Sequence, residues 1–237
     1  MSVTVIILCG GKGTRIQPVL GPVPKILAPI DGRPFIGILL KWINSQLKDS
    51  IKEIVLSTCV GHDAIEKHVL SNNLNCKISK EDRPLGTLGA VIDVVKKNDI
   101  SEYILVVNGD TVFDCNLADV FINFKLDTSK PMLIVKTASM NGRYGGYQKD
   151  ISGKIRLCDK NPDYISLGAF FCKTRDIIEF DGIAAKDINK GKMLDADFLD
   201  HKDIRVHVLP PNINFIDIGI PSDYQLAQSL IPINFES

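Results

Sequence analysis

The stretch Leu8-Cys9-Gly10-Gly11-Lys12-Gly13-Thr14-Arg15 carries most of the information about the fold of this chain. It follows the apolar run 3–8, which predicts a buried first strand. Three glycines in four positions let the backbone turn sharply and bring its N–H groups close to a ligand. Arg15 and, a few residues later, Lys25 flank this loop with positive charge. A glycine loop with basic residues at a strand end is typical of α/β proteins that bind phosphates.

Two common phosphate-binding loops do not fit the sequence. Nothing here matches the P-loop pattern GxxxxGK[ST]. The dinucleotide fingerprint GxGxxG needs a helix that begins directly after it. Here Pro18, Gly21, Pro22 and Pro24 follow the glycines and oppose a long helix. A nicotinamide-dependent redox enzyme is therefore disfavoured, and no residues suited to hydride transfer are visible.

Composition limits the remaining classes of protein. The 237 residues are 45% hydrophobic and 24% charged, which suits one substantial core with a small appended lobe. Lys+Arg and Asp+Glu both number 28, and there is neither a basic run with interleaved aromatics nor a membrane-length apolar run. We therefore expect no nucleic-acid partner, no membrane partner and a cytoplasmic location. The six cysteines show no CxxC pair and no histidine at ligand spacing, so we expect reduced thiols.

The order of apolar segments predicts an α/β fold. Near-continuous apolar runs, of which 103–107 is the plainest, alternate with predicted helices such as 35–47, in which Pro34 would take the first helical position. This pattern is typical of a Rossmann-like, mostly parallel central sheet with helices on both faces. After residue 138 the chain becomes rich in glycine and predicts short hairpins of a small antiparallel lobe. We expect a single domain over residues 1–237, with its core at 1–138 and the lobe at 139–237.

The carboxyl ends of parallel strands meet at one edge of a sheet, where such folds bind ligands. The glycine loop ends the first strand and Asn108-Gly109-Asp110 ends the strand at 103–107, so both are predicted to face one crevice. Asp110 either caps the following turn or holds Mg²⁺, and its position suits the metal. Thr87 opens a further predicted helix, where it is either a simple N-cap or part of a second ligand-facing loop.

Four motifs together resemble the sugar-1-phosphate nucleotidyltransferase family, also called nucleoside-diphosphate-sugar pyrophosphorylases. The family patterns GGxGTR…PK, PxGTAGA, strand-end GD and DIGTPxDY are similar to residues 10–25, 84–90, 109–110 and 215–224. The motifs occur in family order and span most of the chain. The resemblance implies a GT-A-like fold in which 1–138 binds the nucleotide, while 139–237 supplies a sugar-binding lobe and a C-terminal helix. It also implies transfer of a nucleoside monophosphate from an NTP to a sugar 1-phosphate.

The resemblance also implies roles for individual residues. The attacking phosphate oxygen is already an anion, so the reaction needs positioning and charge neutralisation in place of a Ser/His/Asp triad. The implied catalytic residues are Arg15, Lys25, Asp110 and Asp217, with Mg²⁺ held by Asp110 and Asp217. The implied nucleotide contacts are Leu8, Gly10, Gly11, Gly13, Thr14, Arg15, Pro84, Gly86 and Thr87. The implied sugar-phosphate contacts are Lys25, Asn108, Gly145, Asp159, Lys160 and Gly168.

The chain departs from the family patterns at a few positions. Cys9 stands where the family has alanine before the glycines, and Leu88 replaces an alanine of GTAGA. Residues 166–168 lack the usual asparagine of the sugar site. Taken alone, Asp159 and Lys160 predict only a turn. A sugar contact at these two residues is implied by the resemblance alone.

Within the family, residues 84–87 look more like the guanylyl-transferring branch than the thymidylyl branch. Segments within residues 23–35 are similar to the guanylyltransferases that act on D-glycero-D-manno-heptose 1-phosphate in bacterial capsule or lipopolysaccharide synthesis. This similarity implies GTP and heptose 1-phosphate as substrates. One alternative is a guanylyl- or uridylyltransferase for mannose or another hexose 1-phosphate. Another is a non-catalytic nucleotide-sensing subunit, which the four intact charged residues argue against. A homodimer is the default expectation for the oligomeric state.

Overall fold

The structure, a computed structural model, describes residues 2–138, 146–182 and 191–234, with side chains as far as residue 230. Gly145, an implied sugar-phosphate contact, lies outside the described residues. So do residues 183–188, where the sequence predicts a helix. The strands are β1 Val3–Leu8, β2 Pro29–Ile30, β3 Arg33–Pro34, β4 Ile51–Thr58, β5 Lys77–Lys80, β6 Tyr103–Asn108, β7 Thr111–Phe113, β8 Met132–Thr137, β9 Gly146–Lys149, β10 Ile155–Cys158, β11 Tyr164–Lys173, β12 Arg205–Leu209 and β13 Phe215–Asp217. The α-helices are α1 Gln17–Leu20, α2 Phe35–Leu47, α3 His62–Ser71, α4 Thr87–Lys97, α5 Leu117–Leu126, α6 Thr174–Ile178 and α7 Pro221–Asn234, and a π-helix covers Leu194–Leu199.

Within the described residues, a nine-stranded sheet forms the centre of the molecule. Seven of its strands follow the order β10-β9-β11-β6-β1-β4-β5, and β8 and β12 lie off this path. The strands β6, β1, β4 and β5 are parallel, which confirms the predicted parallel centre. Strand β11 joins β6 in antiparallel fashion and also pairs with β8, which in turn pairs with β12. The antiparallel hairpin β9–β10 joins the sheet through β11, as expected for the region after residue 138.

Both faces of the sheet are covered, because side chains alternate along each strand. In β1, Val5 and Ile7 face a core that includes α2 and α5, whereas Ile6 faces a second core that includes α4. All three residues are fully buried. This arrangement confirms helices on both faces. Among the described residues, no helix has the length and apolar character needed to cross a membrane.

Local sequence signals predicted several element boundaries correctly. Helix α2 covers residues 35–47, as expected. Strand β4 covers 51–58, where the apolar pattern of the sequence predicts the second strand. The prediction for Pro34 was wrong, since this residue is the N-cap of α2 with an extended ψ of 133°. Helix α4 begins at Thr87, but its N-cap is Gly86 and no side chain caps it. The domain division at residue 138 borders a stretch outside the described residues and stays a prediction.

The parallel register brings the two predicted loops together. Leu8 lies opposite Asn108 on β6 and opposite Ser57 on β4. Gly109 N–H donates to the Leu8 carbonyl at 2.9 Å, and Cys9 N–H donates to the Ser57 carbonyl at 3.0 Å. The glycine loop and the strand-end Asp110 therefore open onto one crevice, as predicted.

Candidate active site

A cavity of about 340 Å³ lies beyond the carboxyl ends of β1, β4 and β6. This volume is in the range of small-molecule sites, roughly 300–1,000 Å³. Many residues expected to contact substrate line it, namely Leu8, Gly10, Gly11, Gly13, Lys25, Pro84, Gly86, Thr87, Asn108 and Asp110. Thr14 and Arg15 are exposed and do not line this cavity, so their predicted nucleotide contacts stay predictions.

Lys25 and Asp110 form an ion pair at the mouth of this cavity. Lys25 Nζ donates to Asp110 Oδ2, and the two side chains are only 20% and 21% exposed. The other carboxylate oxygen of Asp110 accepts from Thr111 Oγ1 at 2.9 Å. Partial burial strengthens such a pair relative to one on the open surface. The arrangement fixes an ammonium group and a carboxylate side by side in the lining of this cavity.

Asp217, near the C-terminal end of the chain, lies close to the ion pair of Lys25 and Asp110. The short strands β7 and β13 pair so that Asp217 lies opposite Thr111, and Ile218 N–H donates to the Asp110 carbonyl at 3.0 Å. Asp217 Oδ1 accepts from Gly219 N–H at 2.7 Å. Burial, followed by the nearby Asp110 carboxylate, raises the pKa of Asp217. Two acidic groups therefore share one small region.

The two cations also converge on this region. A Cβ placed on Gly219 would lie 2.7 Å from Asp217 Oδ1 and 3.4 Å from both Arg15 Nη2 and Lys25 Nζ. Lys25 and Arg15 both act to lower the pKa of Asp217, against the larger effect of burial. The structure thus brings together Arg15, Lys25, Asp110 and Asp217, the four residues predicted to be catalytic. Their contacts with substrate stay predictions.

A second cavity of about 330 Å³ adjoins the first. Asn108 lines both cavities, and Asp217 lines the second. Gly168, expected to contact the sugar phosphate, also lines the second cavity and has φ +70°, while a Cβ there would lie 2.6 Å from Asn108 Nδ2. Glycine is therefore required at this position by both its backbone angle and its neighbour. Asp159 and Lys160 are exposed and line neither cavity, so their sugar contacts stay predictions.

Glu81 is a cavity residue that the sequence did not indicate. It is only 6% exposed and lines the first cavity. One carboxylate oxygen accepts from Ser57 Oγ at 3.2 Å and the other from Leu85 N–H at 3.2 Å. Burial raises the pKa of this carboxyl, although its two donors oppose the shift. Ionised, Glu81 retains free lone pairs, because a carboxylate has about four acceptor sites.

Tyr147 and Asp195 form a polar pair in the second cavity, also without a sequence signal. Tyr147 is 2% exposed and its hydroxyl donates to Asp195 Oδ1. Burial, followed by the charge of Asp195, raises the pKa of Tyr147, so the phenol stays protonated. Asp195 itself belongs to the π-helix and is exposed at the cavity rim.

The segment before the π-helix joins the two cavities. Thr87 Oγ1 accepts from Leu194 N–H at 2.8 Å, so the hydroxyl tethers this segment and does not cap α4. Lys192 N–H donates to the Leu85 carbonyl at 2.9 Å, and Leu88 N–H donates to the Lys192 carbonyl at 2.8 Å. Gly89 N–H also donates to the Lys192 carbonyl at 3.2 Å. These hydrogen bonds hold the residues beside Asp195 against the loop of the first cavity.

The fold is an α/β sheet with a cavity at the carboxyl ends of its parallel strands, the arrangement typical of α/β enzymes. Residues 4–227 match the nucleotidyl transferase family, and the chain belongs to that family. This confirms the family and the nucleotidyltransferase class of enzyme that the motifs predicted.

Individual relatives are similar over nearly the whole chain. The D-glycero-alpha-D-manno-heptose 1-phosphate guanylyltransferase of Aneurinibacillus thermoaerophilus is 32% identical, covering 94% of this chain and 96% of the relative. The protein of the same name from Campylobacter jejuni is also 32% identical, covering 92% and 96%. The crystal structure of HddC from Yersinia pseudotuberculosis has a TM-score of 0.78 at 28% identity, covering 95% of this chain and 98% of that one. HddC complexed with GMP-PN gives a TM-score of 0.76 at the same identity.

Proposed function

We propose that this protein transfers GMP from GTP to D-glycero-α-D-manno-heptose 1-phosphate, releasing pyrophosphate and forming GDP-heptose. The observation that carries the proposal is the meeting of two cavities at the cluster of Lys25, Asp110 and Asp217. Two relatives that cover nearly the whole chain are named as enzymes of this kind. The similar HddC structure is complexed with GMP-PN, which supports a guanine nucleotide as ligand.

The chain supplies the binding and charge neutralisation that this reaction needs. GTP enters the first cavity with its triphosphate against the backbone N–H groups of residues 10–14. The sugar 1-phosphate enters the second cavity with its phosphate towards Asn108 and Lys25. One phosphate oxygen forms a bond to the α-phosphorus of GTP while the bond to the β-phosphate oxygen breaks, and pyrophosphate leaves. Lys25 balances charge between the two phosphates, and Arg15 lies where it can balance charge on the departing pyrophosphate.

The carboxylates of Asp110 and Asp217 would hold the expected Mg²⁺. Among the described residues there is no cluster of three or more potential ligand side chains. Two neighbouring carboxylates nevertheless fit a Mg²⁺ site, because this ion usually takes one or two protein carboxylates and completes its shell with phosphates and water. When bound, the ion would neutralise negative charge on the phosphates.

Glu81 supports guanine as the base. Guanine presents two adjacent donors, N1–H and the N2 amino group, which match a carboxylate that only accepts. Uracil and thymine place carbonyl acceptors on either side of their single N–H, and a carboxylate would repel them. Adenine and cytosine each offer one amino donor beside an acceptor nitrogen. The buried Glu81 therefore favours GTP over the other nucleotides.

The test is a panel of pyrophosphate-release assays with Mg²⁺. GTP, UTP, CTP, ATP and dTTP are each paired with the 1-phosphates of mannose, glucose, N-acetylglucosamine and manno-heptose. Release with GTP and heptose 1-phosphate alone is the expected result. Release with GTP and mannose 1-phosphate would retain the mechanism and refute the heptose assignment. If no pair of substrates releases pyrophosphate while GTP still binds, the proposed catalytic activity is refuted and a nucleotide-sensing subunit is favoured.

A further inference from the structure

The second cavity contains polar groups that the proposed reaction has not used. Asn108 and Asp217 belong to the phosphate end of this cavity, where it meets the first. Tyr147 and Asp195 also line it, yet they belong to β9 and the π-helix, far from the glycine loop in sequence. A pair of this kind, held by its own hydrogen bond in a ligand-sized cavity, is suited to bind a polar ligand.

The strand pairing places this pair at the end of the cavity remote from the phosphates. On β11, Tyr164 pairs with Tyr147 and residues 169–173 pair with β6. Strand β8 occupies the opposite edge of β11, so Tyr147 and β6 share one edge. Gly168 touches Asn108 and lies four residues from Tyr164, roughly 10–13 Å along the strand. A ligand held by its phosphate near Asn108 therefore extends towards Tyr147.

The chemistry of the pair suits hydroxyl groups. Tyr147 donates to Asp195 Oδ1 and so fixes the carboxylate. Asp195 is exposed and lines the cavity, and a carboxylate has about four acceptor sites, so acceptor capacity remains for a ligand. A carboxylate accepts two hydroxyl donors side by side, and such charge-assisted bonds are roughly twice as strong as neutral ones. Burial of Tyr147 keeps its phenol protonated, so it remains a donor to Asp195.

We propose that Asp195, positioned by the Tyr147 hydroxyl, determines sugar specificity by accepting hydrogen bonds from the 3- and 4-hydroxyls of the sugar 1-phosphate. These are the ring hydroxyls farthest from C1, and C1 is anchored by its phosphate at the Asn108 end. The inference rests on the proposed function, because it assumes that a sugar 1-phosphate occupies the second cavity.

The first test compares Asp195→Asn and Tyr147→Phe with a matched control, Asp203→Asn. Asp203 pairs with Lys130 at 2.6 Å on the surface and lines neither cavity. Asp195→Asn should raise the KM for the sugar 1-phosphate by about 10- to 100-fold, as expected for loss of hydrogen bonds to a charged group. Tyr147→Phe should raise it less, and Asp203→Asn should leave it unchanged. The Kd for GTP, measured by calorimetry, should stay the same in all three, which a general structural defect would not allow.

The second test uses deoxy analogues of the sugar 1-phosphate. In the wild-type protein, removal of the 3- or 4-hydroxyl should weaken binding, and this penalty should disappear in Asp195→Asn. Removal of the 2-hydroxyl, next to C1, should cost the same in both proteins. An unchanged KM in Asp195→Asn, or equal penalties with all three analogues in both proteins, would overturn the proposal. Calorimetry measures sugar-phosphate binding without turnover. If the protein binds the sugar 1-phosphate but does not catalyse the reaction, the proposed function is refuted. The effect of Asp195→Asn on binding still tests the role of Asp195.

Discussion

Lys25 and Asp110 are in direct contact although 85 residues separate them in the chain. The contact forms because the loop after β1 and the end of β6 open onto the same crevice. Asp217, arriving on β13, adds a second carboxylate beside the first. In the proposed reaction, this cation would lie where the two negatively charged substrates approach each other.

Replacement of Lys25 should nearly abolish turnover and retain the fold. By analogy with the loss of one oxyanion-hole donor, kcat should fall by about 100- to 1,000-fold in Lys25→Ala. The matched control is Lys67→Ala, an exposed lysine on α3 that should retain normal activity. Pyrophosphate release gives the rates, and circular dichroism checks the fold. A folded Lys25→Ala protein with a near-normal rate would refute this role.

Glu81→Gln should lose discrimination between GTP and ITP, which differs from GTP in lacking the N2 amino group. The wild-type protein should prefer GTP, because Glu81 accepts from that amino group. In the variant, kcat/KM for GTP should fall by about 10- to 100-fold, and the ratio of GTP to ITP should approach one. If kcat/KM falls equally for GTP and ITP in the variant, Glu81 only holds Ser57 and Leu85 in place through its hydrogen bonds.

The same substitution should stabilise the protein in a pH-dependent manner. Burial raises the pKa of Glu81 above its ordinary 4.5, so ionisation is less favourable in the folded state than in the unfolded state. Stability therefore falls as pH rises from 4.5 through the raised pKa, and the full penalty remains above it. Glutamine avoids this penalty. In thermal unfolding, the midpoint temperature of Glu81→Gln should exceed that of the wild type at about pH 8, and the difference should be smaller at about pH 4.5. A difference that does not change with pH would contradict the assignment.

Gly219→Ala should reduce activity more than stability. The added Cβ would lie 2.7 Å from Asp217 Oδ1, so the carboxylate must move, and Arg15 and Lys25 would be crowded. The control is Gly37→Ala on the exposed side of α2, where an added Cβ meets nothing within 4 Å. That control should stabilise the protein by about 0.5–1 kcal/mol through helix propensity. Turnover and thermal unfolding of both variants test the prediction, and equal activity in the two would contradict it.

Features set by nearby residues were predictable from the sequence. The bounds of α2 and β4 follow from apolar periodicity, and the strand end at Asn108 follows from the apolar run before it. The closeness of Lys25 and Asp110 could also be predicted from the sequence, because the carboxyl ends of parallel strands lie at one edge of the sheet. These inferences needed only local pattern and one general property of the sheet.

Features set by distant pairing were not predictable. Strands β7 and β13 contain only three residues each, and neither carries a pattern that marks it as a strand without its partner. Glu81 sits in an ordinary polar stretch, and only the fold shows that its side chain enters the first cavity. Asp195 lies in a segment that reaches the second cavity because Thr87 holds Leu194 from 107 residues away.

The tether between Thr87 and Leu194 has an evolutionary consequence. The loop that borders the nucleotide cavity holds the backbone beside Asp195, which borders the other cavity. A substitution that moves the backbone at either end of this hydrogen bond therefore acts on both cavities. Side-chain changes that keep the hydrogen bond can alter the preference for base or for sugar alone, whereas changes that break it should alter both preferences together.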